Sequence, residues 1–153
     1  MTPAKILVVE DEQYLRELYT DILNGEGYEV DSAEDGNQGI EKMKQGGWDL
    51  VLLDIILPGI DGLEIMKQIR RNPPQNPIKK VVFLTNLDKD KEMEEAHQLA
   101  DGYIIKSQIT PDVLLGKIHT YLNPGSSPAT KDEPMESQIP PQPTLSPEDS
   151  TQT

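Results

Sequence analysis

The sequence predicts an α/β domain, a parallel sheet whose helices cover both faces. Two observations carry that expectation. Short continuous apolar runs at residues 5–9, 50–53, 80–84 and 102–105 read as strands buried on both faces. Between them lie segments with apolar residues at helical spacing, so strand and helix alternate along the chain. The run that ends at Asp54 is the centre of this pattern, with Asp49 before it and Pro58 and Gly59 after it.

The first strand runs directly into Glu10, Asp11 and Glu12. Leu15, Leu18, Tyr19, Ile22 and Leu23 then recur at helical spacing over residues 12–24, and Gly25 and Gly27 stop that helix. Residues 28–32 alternate apolar and polar, which suits a strand at or near the sheet edge. A short helix over residues 37–45 turns Ile40 and Met43 inward before Gly46 and Gly47 break it. Asp61 caps the next helix ahead of Gly62, with Leu63, Met66 and Ile69 on one face. Three prolines within residues 72–77 end it.

The strand over residues 80–84 leads into Thr85 and Asn86. Residues 88–100 form a highly charged helix whose thin apolar side is Met93, Ala96, Leu99 and Ala100, so it should be the most exposed of the set. The strand over residues 102–105 ends in Lys106. Thr110 as N-cap and Pro111 at the first helical position start the last helix, with Val113, Leu115, Ile118 and Leu122 as its expected buried face. Five strand–helix units predict a three-layer sandwich, a doubly wound five-stranded parallel sheet of flavodoxin-like order 2-1-3-4-5 with five helices. Right-handed crossovers put the first and last helices on one face and the middle three on the other.

Of the 153 residues, the first 122 hold almost all the large apolar side chains and can bury a core. Residues 123–153 contain seven prolines and no aromatic, and read as a disordered acidic Pro/Ser/Thr tail that cannot offset its ordering entropy. A net charge of −13 argues against binding nucleic acid or an anionic membrane surface. The absence of cysteine excludes disulfides, thiolate metal sites and cysteine nucleophiles. No apolar run reaches the ~20 residues of a membrane span and no signal peptide precedes Lys5, so a cytoplasmic location is expected.

In a parallel sheet, Glu10, Asp11, Asp54, Thr85 and Lys106 converge on the rim where such folds bind ligands. Three close carboxylates repel one another, and a hard divalent cation with oxygen ligands relieves that repulsion. Lys106 adds positive charge and Thr85 a hydroxyl donor. The set suits a phosphoryl group transferred to Asp54, a reaction that needs positioning and charge neutralisation more than acid–base groups.

The chain over residues 5–122 resembles a bacterial two-component response-regulator receiver domain of the stand-alone, chemotaxis-regulator type. The matching pieces are Ile6 to Glu12, residues 49–62 from Asp49 through Asp54, Pro58 and Gly59 to Gly62, residues 83–86 around Thr85, and residues 100–106 with Tyr103 and Lys106. Each is weak alone; their order and spacing make the resemblance specific.

That resemblance implies Asp54 as phospho-acceptor, Lys106 paired with the phosphoryl group and Thr85 on a phosphoryl oxygen. It implies Mg²⁺, with Mn²⁺ as alternative, held by Asp11, Asp54 and the backbone carbonyl of Ile56, with Glu10 assisting through water. Tyr103 matches the family's switch aromatic, turning inward as Thr85 moves and reshaping the face made by the fourth and fifth helices and the fifth strand. The implied partners are a sensor histidine kinase or phosphotransfer protein and a downstream protein target, with no nucleic acid and no membrane. The implied state is a monomer or a weak phosphorylation-dependent dimer. The protein would not be an enzyme beyond catalysing its own phosphorylation and slow dephosphorylation.

The chain departs from the family in placing Ser107 where a cis proline usually follows the lysine, so a trans bond and a different loop are expected there. Ile56 and Leu87 occupy the two variable positions that influence phosphoryl lifetime in the family, and their apolar character suggests slow hydrolysis. Plainer readings exist for each residue. The acids at 10–12 could serve a helix N-terminus, Tyr103 could be core, His97 and His119 suit helix surfaces, and Trp48 suits packing. An aspartate phosphohydrolase of the haloacid-dehalogenase type would need an acid at position 56, where Ile56 stands. A flavodoxin-like nucleotide binder would need phosphate donors where Glu10, Asp11 and Glu12 stand. A degenerate receiver that docks without phosphorylation is the remaining alternative. Met135, Ile139 and Leu145 could form a docking segment within an otherwise dispensable tail.

Overall fold

The computed structural model describes residues 2–86 and 90–123. Five strands, β1 (Lys5–Val9), β2 (Glu29–Ala33), β3 (Leu50–Asp54), β4 (Val81–Thr85) and β5 (Gly102–Ile105), form one sheet of order β2-β1-β3-β4-β5. Every neighbouring pair is parallel. Five helices connect and follow them: α1 (Gln13–Gly25), α2 (Gly36–Gln45), α3 (Gly62–Arg71), α4 (Asp90–Leu99) and α5 (Pro111–Leu122). The compact unit they build ends at Leu122. Among the described residues no helix is long and apolar enough to cross a membrane.

The strands are continuous apolar runs because both faces of the sheet are covered. Leu7, Val9, Val51, Leu53, Val81 and Phe83 pack against α2, α3 and α4. The alternate residues Ile6, Val8, Leu50, Leu52, Val82 and Leu84 pack against Tyr19 and Leu23 of α1 and Leu114 and Ile118 of α5. The partition of helices expected from right-handed crossovers is therefore the one observed. Trp48 is buried ahead of β3, its indole N–H donating to the Lys42 carbonyl at 2.9 Å and its face 4.7 Å from Lys5 Nζ. It packs, as its position suggests.

Two caps match the sequence reading. Asp61 accepts from the Glu64 N–H at 2.9 Å and starts α3, and Thr110 accepts from the Val113 N–H at 3.2 Å and starts α5. The buried face of α5 differs from expectation. Val113 is exposed, whereas Leu114 is fully buried with Ile118, and Leu115 and Leu122 are half-buried. The helix is apolar on several sides, and packing against this side of the sheet selects Leu114 and Ile118 for its buried face. The expected start of the charged helix at Asp88, together with Leu87, the Met93 side chain and residues 124–153 with Met135, Ile139 and Leu145, lies outside the described residues.

Candidate functional site

Parallel pairing in register brings the strand ends together. β1 is aligned with β3 through Val9 opposite Leu53, so Glu10 and Asp54 occupy the next step of the ladder. Asp54 lies opposite Leu84 and Thr85 opposite Ile105, which places Thr85 one step further along and Lys106 two. The rim therefore gathers residues from 10, 54, 85 and 106, four separate parts of the chain.

Glu10 and Asp54 are buried and Asp11 is exposed, yet one carboxylate oxygen from each lies within 4.8 Å of the others. Lys106 enters from β5 with its Nζ 2.8 Å from Asp54 Oδ2 and 2.9 Å from Glu10 Oε1. The contact with Asp54 is an aligned hydrogen bond; the one with Glu10 is a charge contact. Glu10 Oε2 accepts the Glu12 N–H at 3.0 Å, and Asp54 Oδ1 lies 3.3 Å from the Ile56 N–H that donates to it. Gly62 of α3 passes so close to the Asp54 carbonyl that a Cβ there would collide with it.

Burial pushes the Asp54 carboxyl up to about 7, Glu10 pushes in the same direction, and Lys106 opposes both. Burial pulls the Lys106 ammonium down, but its bonds to Asp54 and Glu10 outweigh that and hold it above its ordinary value. One ammonium thus faces two buried acids, Glu10 and Asp54, and Asp54 retains a high proton affinity. The donor set is all oxygen, partly exposed through Asp11, and short of positive charge. It fits a hard divalent cation.

An open cavity of about 500 Å³ stands over the cluster, lined by Glu10, Asp11, Glu12, Leu15, Asp54, Ile56, Asn86, Lys106 and Ser107. Ile56 is exposed at its edge. Thr85 is buried at the end of β4 beside Asp54's neighbour and is not among the lining residues. No cis peptide bond occurs among the described residues, and Lys106–Gln108 form a 3-10 turn, so the loop after the lysine takes the trans form expected with Ser107. Tyr103 is half-buried on β5, away from the acids, its ring 4.9 Å edge-on from that of His97 on α4. His97 is exposed on a helix as expected, but the sequence gives no sign of its contact with Tyr103. The same holds for Arg16, whose guanidinium donates to the carbonyls of both Glu10 and Asp11. Its position four residues after Glu12 is the one available hint.

Comparison with known proteins places this doubly wound sheet, with its acidic pocket and a lysine at the carboxyl rim, in a family. Residues 6–119 match the family model of the response regulator receiver domain, and the chain belongs to that family, a signalling module of two-component systems rather than a classical enzyme. It is 42% identical over 103 residues to the response regulator ArlR of Staphylococcus saprophyticus, covering 67% of this chain and 46% of that protein. It is 40% identical over 115 residues to the transcriptional regulatory protein DltR of Streptococcus agalactiae, covering 74% and 50%. The chain thus spans about half the length of the curated relatives it matches. Among solved structures, the response regulator TrrA of Thermotoga maritima in complex with Mg²⁺-BeF is 38% identical with a TM-score of 0.66, covering 78% of this chain and 99% of that one. A CheY-like receiver domain protein of Methanospirillum hungatei is 29% identical with a TM-score of 0.72, covering 80% and 96%.

Proposed function

We propose that this receiver domain accepts a phosphoryl group on Asp54 from a phosphohistidine of a sensor kinase or phosphotransfer protein, and signals the change through protein contacts. The single observation that carries this reading is the buried Asp54 carboxylate held between Lys106 and Glu10 beneath an open pocket. An Asp54 oxygen forms the new P–O bond as the P–N bond of the donor breaks, its electron pair remaining on the imidazole. Lys106, already charged and in contact with Asp54 Oδ2, is placed to pair with the incoming phosphoryl oxygens. Thr85 is proposed to take a further phosphoryl oxygen from the end of β4.

Glu10, Asp11, Asp54 and the Ile56 carbonyl would hold Mg²⁺, or Mn²⁺ in its place, which when bound supplies charge neutralisation for the acids and the phosphoryl group. The raised proton affinity of Asp54 supports this, since added positive charge favours the ionised, nucleophilic form. Tyr103 is proposed as the switch aromatic that reports phosphorylation to the surface of α4, β5 and α5. In this reading residues 1–122 are the receiver unit, residues 123–153 an appended segment, and the site of action the cytoplasm.

Intact mass after incubation with Mg²⁺ and a small phosphodonor tests the proposal. One added phosphoryl group in the wild type and none in Asp54→Asn is expected. No addition in either would instead favour a docking module that works without phosphate. Truncation after Leu122 is expected to leave the reaction intact.

A further inference from the structure

Arg16 is the only arginine or lysine of α1, and its side chain is largely buried rather than extended into solvent. Its Nη1 donates to the Glu10 carbonyl at 2.9 Å and to the Asp11 carbonyl at 3.2 Å, while its backbone N–H donates to the Glu12 carbonyl at 2.9 Å. One residue therefore engages the three consecutive carbonyls of the acidic loop. Its Nη2 lies 3.8 Å from Glu34, a looser contact to an exposed carboxylate. The Glu10 N–H is fixed separately by the Ala33 carbonyl at 3.1 Å. With the peptide groups on both sides of Asp11 held, the direction in which the Glu10 and Asp11 carboxylates leave the backbone is held too.

We propose that Arg16 is a positioning residue for the metal site: it orients the Glu10–Asp11 loop for a divalent cation without touching that cation or the phosphoryl group. The inference rests on the metal reading given above. Its guanidinium also brings positive charge to the base of a three-acid cluster, so its loss frees the loop and raises the repulsion within it. Neutralising the backbone carbonyls from below leaves the carboxylates pointing into the pocket, where their oxygens already converge.

The test is calorimetric titration of Mg²⁺ into the metal-free full chain, with no phosphodonor present. Arg16→Met keeps the apolar stem and removes both donor and charge. It is expected to weaken Mg²⁺ binding about tenfold or more, in the range typical of groups that orient metal ligands. Arg16→Lys should return most of that affinity. The rate of phosphorylation should recover as Mg²⁺ is raised, a split that simple loss of folded protein would not produce. Glu34→Gln should leave Mg²⁺ binding unchanged, since Glu34 meets Arg16 only at the outer contact and otherwise bonds Gln38. If Arg16→Met does not fold, Arg16→Gln, with a stem too short to reach both carbonyls, serves in its place. Wild-type affinity in a folded Arg16→Met or Arg16→Gln chain overturns the inference. Failure of the wild type itself to bind Mg²⁺ overturns the metal reading instead.

Discussion

The Lys106 ammonium lies 2.8 Å from Asp54 Oδ2, a bond between the end of β5 and the end of β3 with the whole of β4 between them. It compensates a carboxylate that burial and Glu10 both disfavour. Removing the lysine leaves two buried acids facing each other. Lys106→Met should therefore destabilise the metal-free protein by about 2–4 kcal/mol at pH 8, where a buried charge loses its partner. The loss should be smaller at pH 5, because Asp54 can then take up a proton. Urea unfolding at the two pH values measures the difference.

Asp54 also sets a pH dependence with a definite sign. Its folded carboxyl titrates at about 7 against an ordinary value of 3.8, so the folded state binds the extra proton. The stability that this group contributes should be fully present below the unfolded value and be lost as pH rises through about 7, by at most about 1.4 kcal/mol per pH unit for one proton. Lys106 acts with the same sign in another window: its raised folded value contributes stability that is lost only at strongly alkaline pH. Thermal unfolding in chelator between pH 5 and 8 should show the slope in the wild type and lose it in Asp54→Asn.

Divalent cation should remove that penalty. If Mg²⁺ binds the folded cluster alone, the melting temperature should climb with the logarithm of its concentration above Kd, by mass action. Chelator should reverse the gain, and Asp11→Asn should flatten it while leaving the metal-free protein folded, since Asp11 is exposed. A melting temperature indifferent to Mg²⁺ at pH 8 would count against the site.

Tyr19 offers a different test. Its side chain is buried in the α1–α5 side of the core, and its hydroxyl has no hydrogen-bond partner among the described residues. Burial, and then the charge of Glu10, pushes the phenol up to about 12. Tyr19→Phe removes an unsatisfied polar group and keeps the ring, so it should stabilise the protein by about 1 kcal/mol in urea unfolding.

Gly62 constrains the site from the other side. A Cβ at this position would strike the Asp54 carbonyl and crowd the Ile55 Cα, both of them backbone that cannot swing away. Gly62→Ala should cost about 1–3 kcal/mol through that overpacking, and slow phosphoryl acceptance by shifting the end of β3. Unfolding and intact-mass time courses report the two effects separately.

The sequence by itself determined the architecture. Continuous apolar strands at residues 5–9 and 50–53 can exist only where both faces are covered, and alternation with helices then leaves few topologies. It also placed Glu10, Asp11, Asp54, Thr85 and Lys106 at strand ends, because each polar residue interrupts an apolar run at a visible point. What only the tertiary structure decided is which atoms meet. The α5 periodicity allowed Val113 or Leu114 to face inward, and contact with the sheet chose Leu114. Arg16 could have extended into solvent, but the acidic loop folded back over it and supplied two carbonyls. His97 found Tyr103 because α4 packs beside β5. Pattern specifies which face of an element is buried; the direction of a long side chain depends on groups distant in sequence, and these become neighbours only when the sheet closes.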